Sequence, residues 1–187
     1  MTDKPHILSR GRFLSLARRA NWEYATREQA TGVVAVVPIT DDGKLLLVEQ
    51  FRPPVGARVL EIPAGLVGDH ADHALEVEET AARRELLEET GHEADEWTLL
   101  VKGPTSPGIC DEVMAVFLAR KLRRVGEVMG DGNEEITLHA VALSELHEWL
   151  RDAERRGLLV DVKMFSGLHL AARLDERIRG ALFRSGR

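Results

Sequence analysis

Three glutamates and two arginines crowd the stretch RRELLEETGH at residues 83–92. On a helix, Glu85 and Glu89 lie one turn apart with Glu88 beside them, so their carboxylates share one side, where like charges repel. A solvated surface face is the ordinary explanation of such a run. Here, however, only Arg84 and Glu88 have the i,i+4 spacing of a stabilising pair, and Glu85 and Glu89 have no cation one turn away. Carboxylates grouped this way, with Gly91 as a helix stop, are suitable ligands for a hard cation such as Mg²⁺ or Mn²⁺.

The rest of the chain limits what that chemistry can serve. A formal net charge of −6 argues against a general affinity for nucleic-acid backbones. A phosphate substrate would then need a local device, and a divalent cation bridging enzyme carboxylates to phosphates is one. Cys110 is the single cysteine, which excludes an intrachain disulfide and a cysteine-based zinc site, and it is read as structural. Of seven histidines, His70 and His73 have i,i+3 spacing, but with no further ligands in sight they are read as solvated loop residues. No apolar run approaches the roughly 18 residues of a membrane span. The start MTDKPHILSRGRF lacks the apolar core of a secretory signal, so a cytoplasmic protein is expected.

The elements that must position the acidic helix are readable from periodicity. TGVVAVVPI at 31–39 and LLLVEQ at 45–50 are β-type runs joined by TDDGK, whose Asp-Gly pair is hairpin chemistry. A strand at about 58–62, a PAG breaker and a loop lead into a helix from about Leu75 to Thr90. EWTLLVKG, EVMAVFLARK and EEITLHAVA read as further strands. Next comes a helix N-capped by Ser144, and then one long amphipathic helix over 162–183. Interleaving without strict β-α-β alternation implies an α/β protein, a mixed sheet in α/β/α layering over residues 31–187. Residues 1–30 read as an N-terminal appendage, in which Trp22 and Tyr24 are either packing residues or part of a ligand or partner surface.

In order, Gly65 in EIPAG, Glu76, a seven-residue gap and RRELLEETGH resemble the box of the Nudix hydrolases. Arg84, Glu85, Leu86, Glu88, Glu89 and Gly91 match its second half position by position. Two departures stand out: ten residues rather than the usual five separate Gly65 from Glu76, and His92 replaces an apolar residue. VEQFRPP, EIPAGL, TSPGICDE and GNEEI, with Pro107 about fifteen residues past the box, are similar to the ADP-ribose pyrophosphatase branch.

This resemblance implies a Nudix α/β/α sandwich that hydrolyses the pyrophosphate of ADP-ribose or another nucleoside diphosphate sugar with Mg²⁺ or Mn²⁺. A GDP-mannose or broad-specificity hydrolase, and a sensor that binds without cleaving, are the alternatives. The resemblance makes Glu85 and Glu89 direct metal ligands, Glu88 a further ligand or orienter, and the Ala64 carbonyl a fourth donor. Arg84 is implied to pair with Glu88 and Glu76, the latter also read as an acidic residue of the first helical turn. Arg52 is implied to grip phosphate, Glu61 to orient its neighbours, and Glu112 to reach the terminal sugar. Glu134 or Glu135, with Asp131 as a third choice, is implied as the general base, because metal-bound glutamates are poor proton acceptors. The branch also implies a homodimer built from the N-terminal segment and PPVGARVLEI, with Trp22 or Tyr24 stacking on the base.

Overall fold

The β-branched run at 32–38 is the centre of the molecule. A computed structural model describes residues 4–68, 76–129 and 135–183. Along these the chain forms β1 (His6–Arg10), β2 (Ser15–Arg19), β3 (Trp22–Thr26), β4 (Gly32–Pro38), β5 (Lys44–Arg52), β6 (Ala57–Glu61) and β7 (Ala64–Val67). It continues as α1 (Glu78–Thr90), β8 (His92–Pro104), β9 (Val113–Arg124), β10 (Thr137–Ala142), α2 (Leu146–Arg155), β11 (Leu159–Val160), α3 (Lys163–Leu174) and α4 (Glu176–Phe183).

Two four-stranded sheets form the body, in the orders β7-β4-β9-β8 and β10-β5-β6-β11. Both are mixed: β4 runs parallel to β9 but antiparallel to β7, and β6 runs parallel to β11 but antiparallel to β5. Alternation along β4 divides the interior. Val34 and Val36 pack with Ala81, Ala82 and Leu86 of α1, whereas Ala35 and Val37 join Leu47, Leu60 and the α3 residues Met164 and Leu168. A strand buried on both faces reads as a continuous apolar run, which is the pattern of 33–37. Helices therefore cover this sheet on both sides. Gly167 permits the α3 approach, since a Cβ there would come 2.7 Å from Val37 Cγ2.

Several local readings are corrected. The TDDGK turn forms, with Thr40 and Gly43 hydrogen-bonded across it and Gly43 at φ +79°, yet β4 and β5 do not make a hairpin. A strand has two edges; β4 gives both to β7 and β9, β5 gives both to β6 and β10, and only an Ile39–Leu45 bridge joins them. PAG is not a breaker after Pro63, because Ala64 and Gly65 pair with Ala35 and Val34 of β4. The acidic helix begins at Glu78, so Glu78 and Glu79, not Glu76, occupy its first turn. Glu145, not Ser144, is the N-cap of α2.

The long C-terminal helix is two helices. Asp175 takes an extended conformation (φ −129°, ψ 117°), and its Oδ1 accepts from the backbone N–H groups of Arg177 and Ile178. An Asp that satisfies the orphan donors of a new helix start competes with helix continuation, which an apolar pattern cannot reveal.

β1, β2 and β3 make a separate antiparallel sheet. The Ala25 N–H donates to the Ile109 carbonyl at 2.8 Å, Thr26 Oγ1 to Asp111 at 2.9 Å and Arg27 Nε to Glu112 at 2.7 Å, tying this sheet to the loop after β8. Leu16 and Trp22 on it, and Phe13 and Leu14 in the turn between β1 and β2, are exposed. Among the described residues no helix is long and apolar enough to cross a membrane.

Candidate active site

The acidic helix and the strand before it are fastened to one another by charge. Glu85 and Glu89 are 8% and 5% exposed, both on the side of α1 that faces β7. The Ala64 N–H donates to Glu89 Oε2 at 3.1 Å, and Arg84 Nη2 donates to the Leu66 carbonyl at 3.0 Å. Gly65 lies between these two points, where a Cβ would overlap the Glu85 carboxylate. Glycine is therefore required by close approach at this position. Gly91 is required by conformation: it ends α1 at φ +69°, and its N–H caps the Leu87 carbonyl.

Arg84 is the hub of the acidic cluster. Its Nη1 bridges Glu85 Oε1 (2.6 Å) and Glu88 Oε2 (3.1 Å), while Nε and Nη2 each meet Glu76 at 3.3 Å. The expected partners Glu88 and Glu76 are present, and Glu85 is added. A neighbour at i+1 was outside the one-turn rule, yet the long guanidinium reaches it. Burial opposes the charge of Arg84, but Glu76 and Glu85 outweigh it and raise its pKa.

Glu89 has no such compensation. Burial, followed by the nearby Glu85, pushes its pKa well above the usual carboxylate range, and the Ala64 N–H and Arg52 only partly oppose this. Among the described residues no three His, Cys, Asp or Glu side chains already close into a metal cage. The donor set nevertheless fits a hard divalent cation: three carboxylates on one side of a helix, one of them buried where positive charge is deficient.

A cleft of about 1160 Å³ opens over this cluster. Glu85, Glu88 and Glu89 line it together with Ala64, Gly65, Arg84, Arg52 and Glu112, so eight of the expected site residues share one cavity. Glu61 is buried behind Arg52, accepting from Arg52 Nε at 2.7 Å and from Gln50 Nε2 at 3.2 Å. Glu112 is held by Arg27. Cys110 Sγ sits 3.4 Å from Thr105 Oγ1 at the rim.

The remaining expected residues lie elsewhere. Trp22 is 66% exposed on β3 and Tyr24 is half-buried beside it, and neither lines the cleft of its own chain. Glu135 is exposed, with Oε2 3.9 Å from Arg58 Nη1, whereas its neighbour Ile136 does line the cleft. Glu134, Asp131, His70 and His73 fall outside the described residues. The sequence reading missed Arg27, Asp161 and Lys163, which also line the cavity. Arg27 lay in a segment with no readable pattern. Asp161 and Lys163 flank the start of a helix about a hundred residues from Glu61, and their charge at that start was the only available signal.

An α/β body with a strand–glycine–helix corner, carboxylates under a cleft and an arginine on its wall defines an acidic cleft whose donors suit a divalent cation. The chain belongs to the NUDIX domain family, whose model matches residues 30–161. It is 34% identical to the methanol dehydrogenase activator of Bacillus methanolicus, over 65% of this chain and 63% of that protein. It is 45% identical to the ADP-ribose pyrophosphatase of Bacillus subtilis (strain 168), over 49% of this chain and 46% of that protein. The chain thus matches less than two thirds of the length of either relative. A solved ADP compounds hydrolase shares the fold at a TM-score of 0.69 and 24% identity, with 93% of this chain and 95% of that one covered.

Proposed function

We propose that the protein hydrolyses the pyrophosphate bond of ADP-ribose or a related nucleoside diphosphate sugar, releasing a nucleoside monophosphate and a sugar phosphate. One observation carries the reading: the carboxylates of α1 and the guanidinium of Arg52 line a single cleft of about 1160 Å³, ample for a nucleoside diphosphate sugar. The similarity to an ADP-ribose pyrophosphatase narrows the substrate class.

In this reading Glu85 and Glu89 bind Mg²⁺ or Mn²⁺, with Glu88 and the Ala64 carbonyl as further donors. When bound, the cation neutralises diphosphate charge and orients the reacting groups. Arg84 holds Glu85 and Glu88 in register, and Gly65 leaves room for the Glu85 carboxylate. Arg52 grips a phosphate oxygen, and Glu112 and Arg27 meet the far end of the substrate. Water attacks one phosphorus, the bond from that phosphorus to the bridging oxygen breaks, and the second phosphate leaves with that oxygen. Glu134 or Glu135 accepts the proton of the attacking water.

Residues 1–30 serve as an appendage that pairs two copies of the chain, an arrangement favoured by the exposed Phe13, Leu14, Leu16 and Trp22. The test is incubation of the pure protein with Mg²⁺ and a panel of ADP-ribose, GDP-mannose, UDP-glucose, dinucleoside polyphosphates and nucleoside triphosphates. AMP and a ribose phosphate from ADP-ribose is the expected result. Faster release from GDP-mannose selects the alternative substrate, and no product from any of them leaves a sensor.

A further inference from the structure

Lys163 reaches the cleft from the first turn of α3 with a side chain 25% exposed. Its Nζ donates to Glu61 Oε1 at 3.3 Å and pairs with Asp161. The other oxygen of Glu61 accepts from Arg52 Nε at 2.7 Å and Gln50 Nε2 at 3.2 Å. One buried carboxylate therefore joins two cations that both line the cavity. With donors on both oxygens the carboxylate cannot rotate without losing a charge-assisted bond, so Lys163 on one oxygen and Gln50 on the other fix the direction from which it holds Arg52.

The lysine is itself held against the strand that carries Glu61. β11 pairs in parallel with β6, matching Val160 to Leu60, and the Asp161 N–H donates to the Leu60 carbonyl at 2.9 Å. Asp161 Oδ1 then accepts from the Lys163 backbone N–H at 2.9 Å. Burial pushes the Asp161 carboxyl up, but Lys163 outweighs this and holds it below the usual value.

We infer that Lys163 is a positioning residue for substrate binding, acting through Glu61 to orient Arg52 toward the diphosphate. The inference rests on the reading of Arg52 as a phosphate contact. If Lys163 served only to attach α3 to the sheet, its loss would change stability without touching Arg52-dependent affinity.

A double-mutant cycle separates the two. Wild type, Lys163→Met, Arg52→Gln, the double variant and Lys163→Arg are compared for ADP-ribose affinity by calorimetry in EDTA, for KM and kcat with Mg²⁺, and for unfolding midpoint. Lys163→Met is expected to weaken binding by about tenfold and raise KM similarly, with kcat changed by less than about threefold. Lys163→Arg should recover most of the loss. In the Arg52→Gln background, Lys163→Met should add less than about twofold, because the group it orients is gone. If Lys163→Met unfolds at assay temperature, Lys163→Gln takes its place in the cycle.

Wild-type affinity in Lys163→Met, or the full tenfold loss persisting without Arg52, overturns the inference. A wild type that neither binds nor cleaves ADP-ribose removes the functional reading and this inference with it. A wild type that does both, beside an unchanged Lys163→Met, removes the inference alone.

Discussion

The α1–β7 corner and the N-terminal sheet solve opposite problems. At the corner, the carboxylates of α1 and the arginine are each held by a named atom: Glu89 by the Ala64 N–H, Arg84 by the Leu66 carbonyl, Glu85 and Glu88 by Arg84, with Gly65 leaving room for Glu85. On the three-stranded sheet Leu16 and Trp22 are exposed, as are Phe13 and Leu14 in the turn between β1 and β2, and the sheet is tied to the body at Ala25, Thr26 and Arg27. The corner concentrates repulsive charge and restrains it, as a reactive site requires. The sheet leaves apolar surface open, as a surface awaiting a partner does.

The comparison is broken most severely at the carboxylates proposed to bind metal. Glu85→Gln and Glu89→Gln are expected to lower turnover by several orders of magnitude while the protein stays folded, since each removes a proposed ligand charge at nearly constant size and Arg84 keeps Glu76 and Glu88 when Glu85 is changed. Steady-state rates at saturating Mg²⁺ together with circular dichroism check this; wild-type turnover in both variants sinks the ligand assignment.

Next in size is the general base proposed to lie outside the corner. One of Glu134→Gln and Glu135→Gln should cut kcat by ~10²–10⁴-fold with KM little changed. If both variants and the double variant keep near-normal kcat from about pH 6 to 9, across the range where a carboxylate base would act, the base lies elsewhere.

The two box glycines sharpen the contrast between close approach and conformation. In Gly65→Ala the new methyl meets the end of a flexible side chain, so Glu85 moves aside: turnover should fall ~10²-fold from its misplacement, at a stability cost of about 1 kcal/mol or less. In Gly91→Ala the new methyl meets the Gly126 backbone from a left-handed conformation, so denaturant titration should show a loss of about 2 kcal/mol or more. Equal stability losses in the two variants would contradict this.

On the sheet, Trp22→Ala should leave stability within about 0.5 kcal/mol and raise KM by an amount equivalent to ~1–3 kcal/mol of base stacking. Trp22 is outside the cleft of its own chain, so that loss requires a second copy; a monomer by light scattering, or an unchanged KM, removes the shared site.

The smallest expected effect is at the α3–α4 break. Partial burial raises the Asp175 pKa, but the N–H groups of Arg177 and Ile178 and the ion pair with Arg120 outweigh it and hold the carboxyl below its ordinary value. A lowered folded pKa contributes stability that is complete above the unfolded value, about 3.9 for an aspartate, and is lost as pH falls through the folded one. Asp175→Asn should therefore lower the unfolding midpoint slightly at neutral pH, with the difference closing below about pH 4. A gap that widens on acidification refutes the sign.

Much of this molecule could be read in one dimension, and the exceptions share a cause. The acidic helix, its glycine stop and the Arg84 pairing with Glu88 were legible because identity and spacing on one helix determine them, whereas the Glu76 partner, which lies before the helix, came only from the family resemblance. The buried strands at 32–38 and 113–119 were legible because β-branched and apolar runs have few other places to go. Strand partnership was not: the TDDGK turn promised a hairpin, but edge pairing is a competition among all strands, and β7 and β9 took both edges of β4. Nor was the break at Asp175, where one capping side chain prevailed over a continuous apolar stripe. The Lys163–Glu61–Arg52 group depended wholly on tertiary structure, since a short parallel strand, β11, brings residues about a hundred positions apart within hydrogen-bonding distance. Periodicity and motif spacing describe neighbours along the chain, and contacts made across a sheet leave no mark in either.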